Sequence, residues 1–404
     1  MSGDSSDDAD GIGSVRDVPR GTTRRRFLAG TSAVALGATA GCSGGDGGDG
    51  GSDGDGGGPD LDPDNPPEKP DSITVRAWGG VWQESLAEGV GTPFTEETGI
   101  DVVYDNSDIQ VTQNNIRSAV DQDQEPPVNV NWTIVVFMHR EFRQGLARRL
   151  DPDVVPHIEE MRDLAKPDID GDLPYIGLYP YTYALCYNEN ALEEVQGDSE
   201  PVDSWETLWN EEYEGWLGIY NDPPADGFLP VLAELAGVEL GPAAEMEAVW
   251  DLVEELEPNL GFLGSDADIA TNLQEEEIAY AAGYLPNNLL QPQEEGVPVG
   301  WTIPEEGATV RTDCFYTPKN QPTSELYWSQ RFIDFALRAE NQETWMEGLQ
   351  VPMLNENVEP LEWMEGNPAF PTSDEEFDQL IWTDLDVYTE HSPGWFDRMS
   401  QIVA

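Results

Sequence analysis

Ile73-Thr74-Val75-Arg76-Ala77-Trp78-Gly79-Gly80-Val81-Trp82 is the stretch on which the fold turns. Its first six residues form a β-branched run stopped by two glycines, which reads as a strand and a turn. Residues 81–98 then set Trp82, Leu86 and Val90 on one stripe with Phe94 a turn further on, predicting a helix. Gly99 ends it, and Ile100-Asp101-Val102-Val103-Tyr104 reads as the next strand. Strand, helix and strand in succession favour a parallel sheet covered by helices. Working outward, the patterns predict helices at 115–120, 140–149, 205–209, 243–256, 324–339 and 343–349. They predict strands at 132–137, 183–187, 217–220, 278–282 and 314–316. No internal repeat is visible.

The chain has 404 residues, with 80 Asp+Glu against 19 Lys+Arg and a formal net charge of −61. Three of those cations are lysines, Lys69, Lys166 and Lys319. Thirteen Trp, 13 Tyr and 12 Phe exclude a disordered acidic chain, which lacks the residues to bury a core. Nucleic acid is not an expected partner, because no basic patch follows the first 26 residues. Self-repulsion of this size strains a compact fold in dilute buffer, and at about 1 M salt the screening length falls to ~3 Å. The acid-rich, lysine-poor composition therefore points to a halophile, a haloarchaeon. Three cysteines make no disulfide framework.

Residues 1–72 read as address, anchor and tether. Thr23-Arg24-Arg25-Arg26-Phe27-Leu28 fits a twin-arginine export signal. The apolar run that follows ends by residue 40, too short for a bilayer core, and fits a signal peptide over residues 1–41. Thr39-Ala40-Gly41-Cys42 resembles a lipobox, which makes Cys42 the expected lipid attachment site. Residues 42–72 form a Gly/Asp-rich and then Pro-rich tether. The remainder is large for one core, so two lobes are expected.

From here a resemblance becomes specific. Trp78-Gly79-Gly80-Val81-Trp82, followed by Phe94-Thr95-Glu96-Glu97-Thr98-Gly99-Ile100-Asp101-Val102, resembles the opening of spermidine/putrescine-type extracellular solute-binding proteins of ABC importers. So do, in order, residues 145–151, 183–191, Ser204-Trp205-Glu206-Thr207-Leu208-Trp209, residues 313–320, 324–337 and the last 18. The likeness spans nearly all of 73–404. It implies an α/β, two-lobed periplasmic-binding-protein-like fold, each lobe a mainly parallel sheet flanked by helices, joined by crossing hinge strands. Residues 73–182 plus 314–404 would form lobe 1 and residues 183–313 lobe 2. It also implies a protein that hands a small-molecule solute to ABC permease subunits with no cofactor, metal or catalysis, expected here as a monomer that the export signal and Cys42 would anchor by lipid on the outer face of the cell membrane. The residues agree: His139, His157 and His391 have no partner at metal-ligand or triad spacing and read as surface or helix-end residues.

A polyamine needs carboxylates for its ammonium ends and aromatic faces for its stem. The resemblance puts Trp78, Trp82, Asp222, Tyr284 and Asp313 at the ligand site, with Asp226 beside Asp222, and Tyr181 and Tyr183 facing the cleft or the hinge. Arg311 departs from the pattern, standing where the family has a tryptophan. It could neutralise Asp313 or clamp an anionic solute bidentately, so both a polyamine and another small organic or anionic solute stay open. Cys186 and Cys314 fall on the outgoing and returning hinge strands, either as two buried thiols or as a disulfide.

Overall fold

The β-branched run after residue 71 forms β1 (Ser72–Arg76), with Ile73 and Val75 fully buried. A computed structural model describes residues 61–221 and 225–403. The twin-arginine segment, Cys42, most of the tether and Asp222 lie outside the described residues. The other strands are β2 (Asp101–Asp105), β3 (Val130–Ile134), β4 (Ala147–Arg148), β5 (Ile176–Asn188), β6 (Leu217–Tyr220), β7 (Leu260–Gly264), β8 (Tyr280–Tyr284), β9 (Val299–Thr302) and β10 (Thr309–Pro318). They follow the order β2-β1-β3-β10-β5-β8-β6-β7, with β4 on β10 and β9 on β5.

Within each end of that path the strands are parallel, β2-β1-β3 on one side and β8-β6-β7 on the other. The two ends are joined by the antiparallel pair β5 and β10, β10 pairing with β3 of one end and β5 with β8 of the other. β5 pairs with β10 up to Tyr183, and from Ala184 it pairs with β8 and then also β9. This is an α/β arrangement of two parallel ends joined by crossing strands, as the resemblance implies. One core gathers Ile73, Phe94, Trp132, Phe315 and Trp345. Another gathers Trp205, Phe228, Val249 and Trp250 with the helices Val135–Arg143 and Leu385–Ile402. The C-terminal helix is held to the first of those helices by Asp386, which accepts from Arg143 Nε at 2.9 Å and lies 2.7 Å from His139 Nε2. His139 is therefore a buried, paired side chain and not the surface or helix-end residue the sequence suggested.

Several elements differ from their expected form. Residues 132–137 are not one strand: β3 ends at Ile134 and a helix begins at Val135. The apolar run continues because that helix buries Val135, Val136 and Met138, and a short apolar run does not distinguish the two conformations. The helix stops at Arg143 rather than 149, where Ala147 and Arg148 pair with Thr317 and Pro318. The segment 81–98 is helical throughout but contains a π turn over Ala87–Gly91. β7 has no counterpart among the expected strands. Cys186 and Cys314 are both buried free thiols. Cys314 lies opposite Gly177, nine residues before Cys186 on β5, roughly 30 Å away at ~3.3 Å per residue.

Candidate ligand-binding cleft

A parallel strand presents its last residue, and the turn that follows, to the crevice beyond its carboxyl end. Strands from both sides of the molecule do so around one cavity of about 330 Å³. From one side come Ile134, the last residue of β3, Trp78, two residues beyond β1, and Trp82 in the first turn of the next helix. From the other come Tyr220, the last residue of β6, Asp266 after β7, and Leu285, Asn287 and Asn288 after β8. Alternate residues of β5, Tyr179, Tyr181 and Tyr183, complete the wall with Asp313 of β10. Gly79, at φ +86°, turns the chain between Trp78 and the helix in a conformation that L side chains rarely adopt.

Asp313 is the electrostatic centre. Its Oδ2 accepts from Trp78 Nε1 at 2.8 Å and from Tyr179 Oη at 2.6 Å. Burial pushes its pKa up to about 6, against the pull of those two hydrogen bonds and of the Arg76 guanidinium. Arg76 stacks 3.8 Å from the centre of the Trp78 ring and donates to the Trp132 carbonyl at 2.8 Å. Trp82 stacks on Tyr179 with centroids 6.0 Å apart, and the buried Trp132 meets both edge-on.

The structure thus brings Trp78, Trp82 and Asp313 together in the lining. Tyr284 stands behind it, fully buried, donating to the Asp266 carbonyl at 2.7 Å and accepting from Asn288 Nδ2 at 3.2 Å. Arg311 is outside the lining too. It is 2% exposed, lies 3.8 Å from the buried Asp226 carboxylate, donates to Thr383 Oγ1 at 3.0 Å and faces the Tyr388 ring. The cation acting on Asp313 is Arg76. Residues two apart on a strand stand ~7 Å apart, so Arg311 and Asp313 meet different neighbours along β10. Tyr220, Asp266, Asn287 and Asn288 were not anticipated. The signal for them was the rule of carboxyl ends applied to β6, β7 and β8, and without β7 the position of Asp266 could not be read.

The profile of a family described as bacterial extracellular solute-binding protein matches residues 90–372. The chain is 27% identical over 286 residues to the putrescine-binding periplasmic protein PotF of Escherichia coli, covering 64% of this chain and 72% of that protein. It is 24% identical to the putrescine-binding periplasmic protein SpuD of Pseudomonas aeruginosa, over 77% of this chain and 88% of that one. The crystal structure of the spermidine/putrescine ABC transporter substrate-binding protein PotD from Streptococcus pneumoniae matches with a TM-score of 0.66 and 19% identity. That match covers 83% of this chain and 100% of the other, and bears on the fold alone.

Proposed function

Because this chain belongs to the bacterial extracellular solute-binding proteins, of the polyamine type that works with ABC transporters, we propose that it captures a linear di- or polyammonium solute between its lobes. The observation that carries this reading is the character of the cavity. Its lining holds two carboxylates, Asp313 on β10 and Asp266 after β7, with six Trp and Tyr rings, and, among the described residues, no Lys, Arg or His. Aromatic faces attract an ammonium with about 0.5–2 kcal/mol each and cover a methylene stem. With Trp78 and Tyr179 both bound to Oδ2, Oδ1 is the Asp313 oxygen left to meet the ligand. With Arg311 paired with Asp226 outside the lining, the described lining residues offer no cation to an anionic solute.

Twin-arginine export and lipidation at Cys42 hold the protein at the outer face of a haloarchaeal membrane, where it works as a monomer in multimolar salt and delivers its solute to ABC permease subunits. Residues 73–182 with 314–404 form one lobe and 183–313 the other. The change of partner on β5 after Tyr183 and the register shift between Asp313 and Cys314 support those boundaries. Calorimetric titration in multimolar salt tests the ligand. Putrescine or spermidine should bind at micromolar concentration or tighter, with binding lost in Asp313→Ala. Heat from an acidic amino acid and none from polyamines overturns the assignment.

A further inference from the structure

The segment that follows β6 ends in a tight turn, Ala225-Asp226-Gly227-Phe228, buried at every position. Three contacts seat it. Asp226 faces the Arg311 guanidinium of β10 at 3.8 Å. Phe228 packs on the Trp205 ring at 5.3 Å, and its backbone nitrogen lies where a Cβ on Gly283 of β8 would come within 2.7 Å. Gly227 lies against Tyr183: a Cβ there would fall 2.1 Å from the ring Cδ1, 2.2 Å from Cγ and 2.6 Å from Tyr183 Cβ. No rotation of a flexible side-chain end relieves an overlap that reaches Cβ. Tyr183 lines the ligand cavity and Gly227 does not, so the ring stands between the turn and the cavity. Its neighbour in the wall, Tyr181, meets it edge-on at 5.7 Å and fixes the other side.

We propose that Gly227, held in place by the Arg311–Asp226 ion pair, is a specificity-determining position: the missing side chain lets the Tyr183 ring lie back from the cavity, and so sets the longest polyamine chain that fits. The inference rests on the polyamine reading. A side chain at position 227 overlaps Tyr183 from ring to Cβ and displaces it or the turn, and where the ring yields it moves toward the cavity, in which a close-packed site registers the loss of even one methylene. Arg311 thereby acts on the ligand through the turn and the ring, without touching it.

The test is titration of wild type, Gly227→Ala, Tyr183→Ala and the double variant with a graded series of diamines, spermidine and spermine, alongside thermal unfolding. Gly227→Ala should lose about tenfold or more in affinity for the longest chain that the wild type binds while keeping the shorter ones, the scale that a single methylene commands in a pocket. Tyr183→Ala should extend the accepted length, and the double variant should follow Tyr183→Ala. A uniform loss across the series in Gly227→Ala, or a length preference unchanged in both single variants, overturns the inference. Should Gly227→Ala fail to fold, Tyr183→Ala decides alone. If the wild type binds no polyamine, the ligand reading fails instead. The crystal structure of Gly227→Ala then decides the inference, which falls if the Tyr183 ring has not moved.

Discussion

At the scale of single residues, Asp313 holds a carboxylate that burial discourages from ionising, while Trp78, Tyr179 and Arg76 oppose burial. The sign of its pH dependence follows. Its pKa, up at about 6, lies above the value near 4 of an unfolded chain, so the native protein binds more protons between those limits. The contribution of Asp313 to stability is therefore present below about pH 4 and is lost as pH rises through 6. An ammonium ligand binds the ionised form, so its affinity should change the opposite way, falling as pH drops below about 6, with proton release on binding in that range. Calorimetry in buffers of different ionisation enthalpy measures both. Trp78→Phe removes one donor to Oδ2 and should raise the pH at which affinity is lost by about one unit. An unshifted profile would mean that Trp78 supplies only its ring. At this scale the sequence singled out Asp313 and both tryptophans, which line the cavity, but not Tyr220 or Asp266, whose places in the lining come from where their strands end.

At the scale of elements, the pieces around the hinge are tied by buried polar groups. Arg311 of β10, Asp226 of the turn after β6 and Thr383 before the last helix form one such tie. Removing one member of a buried pair strands the other charge. Arg311→Met should cost about 3–5 kcal/mol in denaturant unfolding, and Arg311→Met with Asp226→Asn distinctly less than the sum of the two. Equal and additive losses would show that the 3.8 Å pair contributes nothing. A second tie lies on the helix Val135–Arg143, where Glu141 accepts from Tyr316 Oη, which accepts in turn from Asn131 Nδ2 at 2.9 Å. Burial pushes the Glu141 carboxyl up to about 7. Its stabilising contribution is complete below about pH 4 and disappears as pH passes 7, so Glu141→Gln should remove part of the stability lost between pH 5 and 8. Unfolding midpoints of the two proteins across that range check this. Elements with clear periodicity were legible: β1, β2, the helix Thr323–Leu337 and β6. β7 was not, because Leu260-Gly261-Phe262-Leu263-Gly264 has two glycines where a strand usually shows branched side chains. Gly261 is needed there because a Cβ would meet the Gly215 carbonyl oxygen at 1.9 Å.

At the scale of the whole molecule, the chain carries a formal charge of −61, most of it on a fold whose lobes are joined by two strands. Raising salt from about 0.1 to 2 M shortens the screening length several-fold and should raise the thermal midpoint by more than about 5 °C. A midpoint that does not respond would remove the high-salt reading of the composition. The sequence by itself determined the strongly periodic strands and helices, the excess of acidic residues and the family, because these depend on local periodicity, on counts and on short phrases that survive as written. Only the tertiary structure decided which charge meets which. It put Arg76 and not Arg311 beside Asp313, Tyr284 behind the wall and not in it, and the two hinge cysteines far apart. Those outcomes depend on the register of β5 against β10 and on which strand ends converge, and residues more than a hundred positions apart meet there only through the packing of the whole chain.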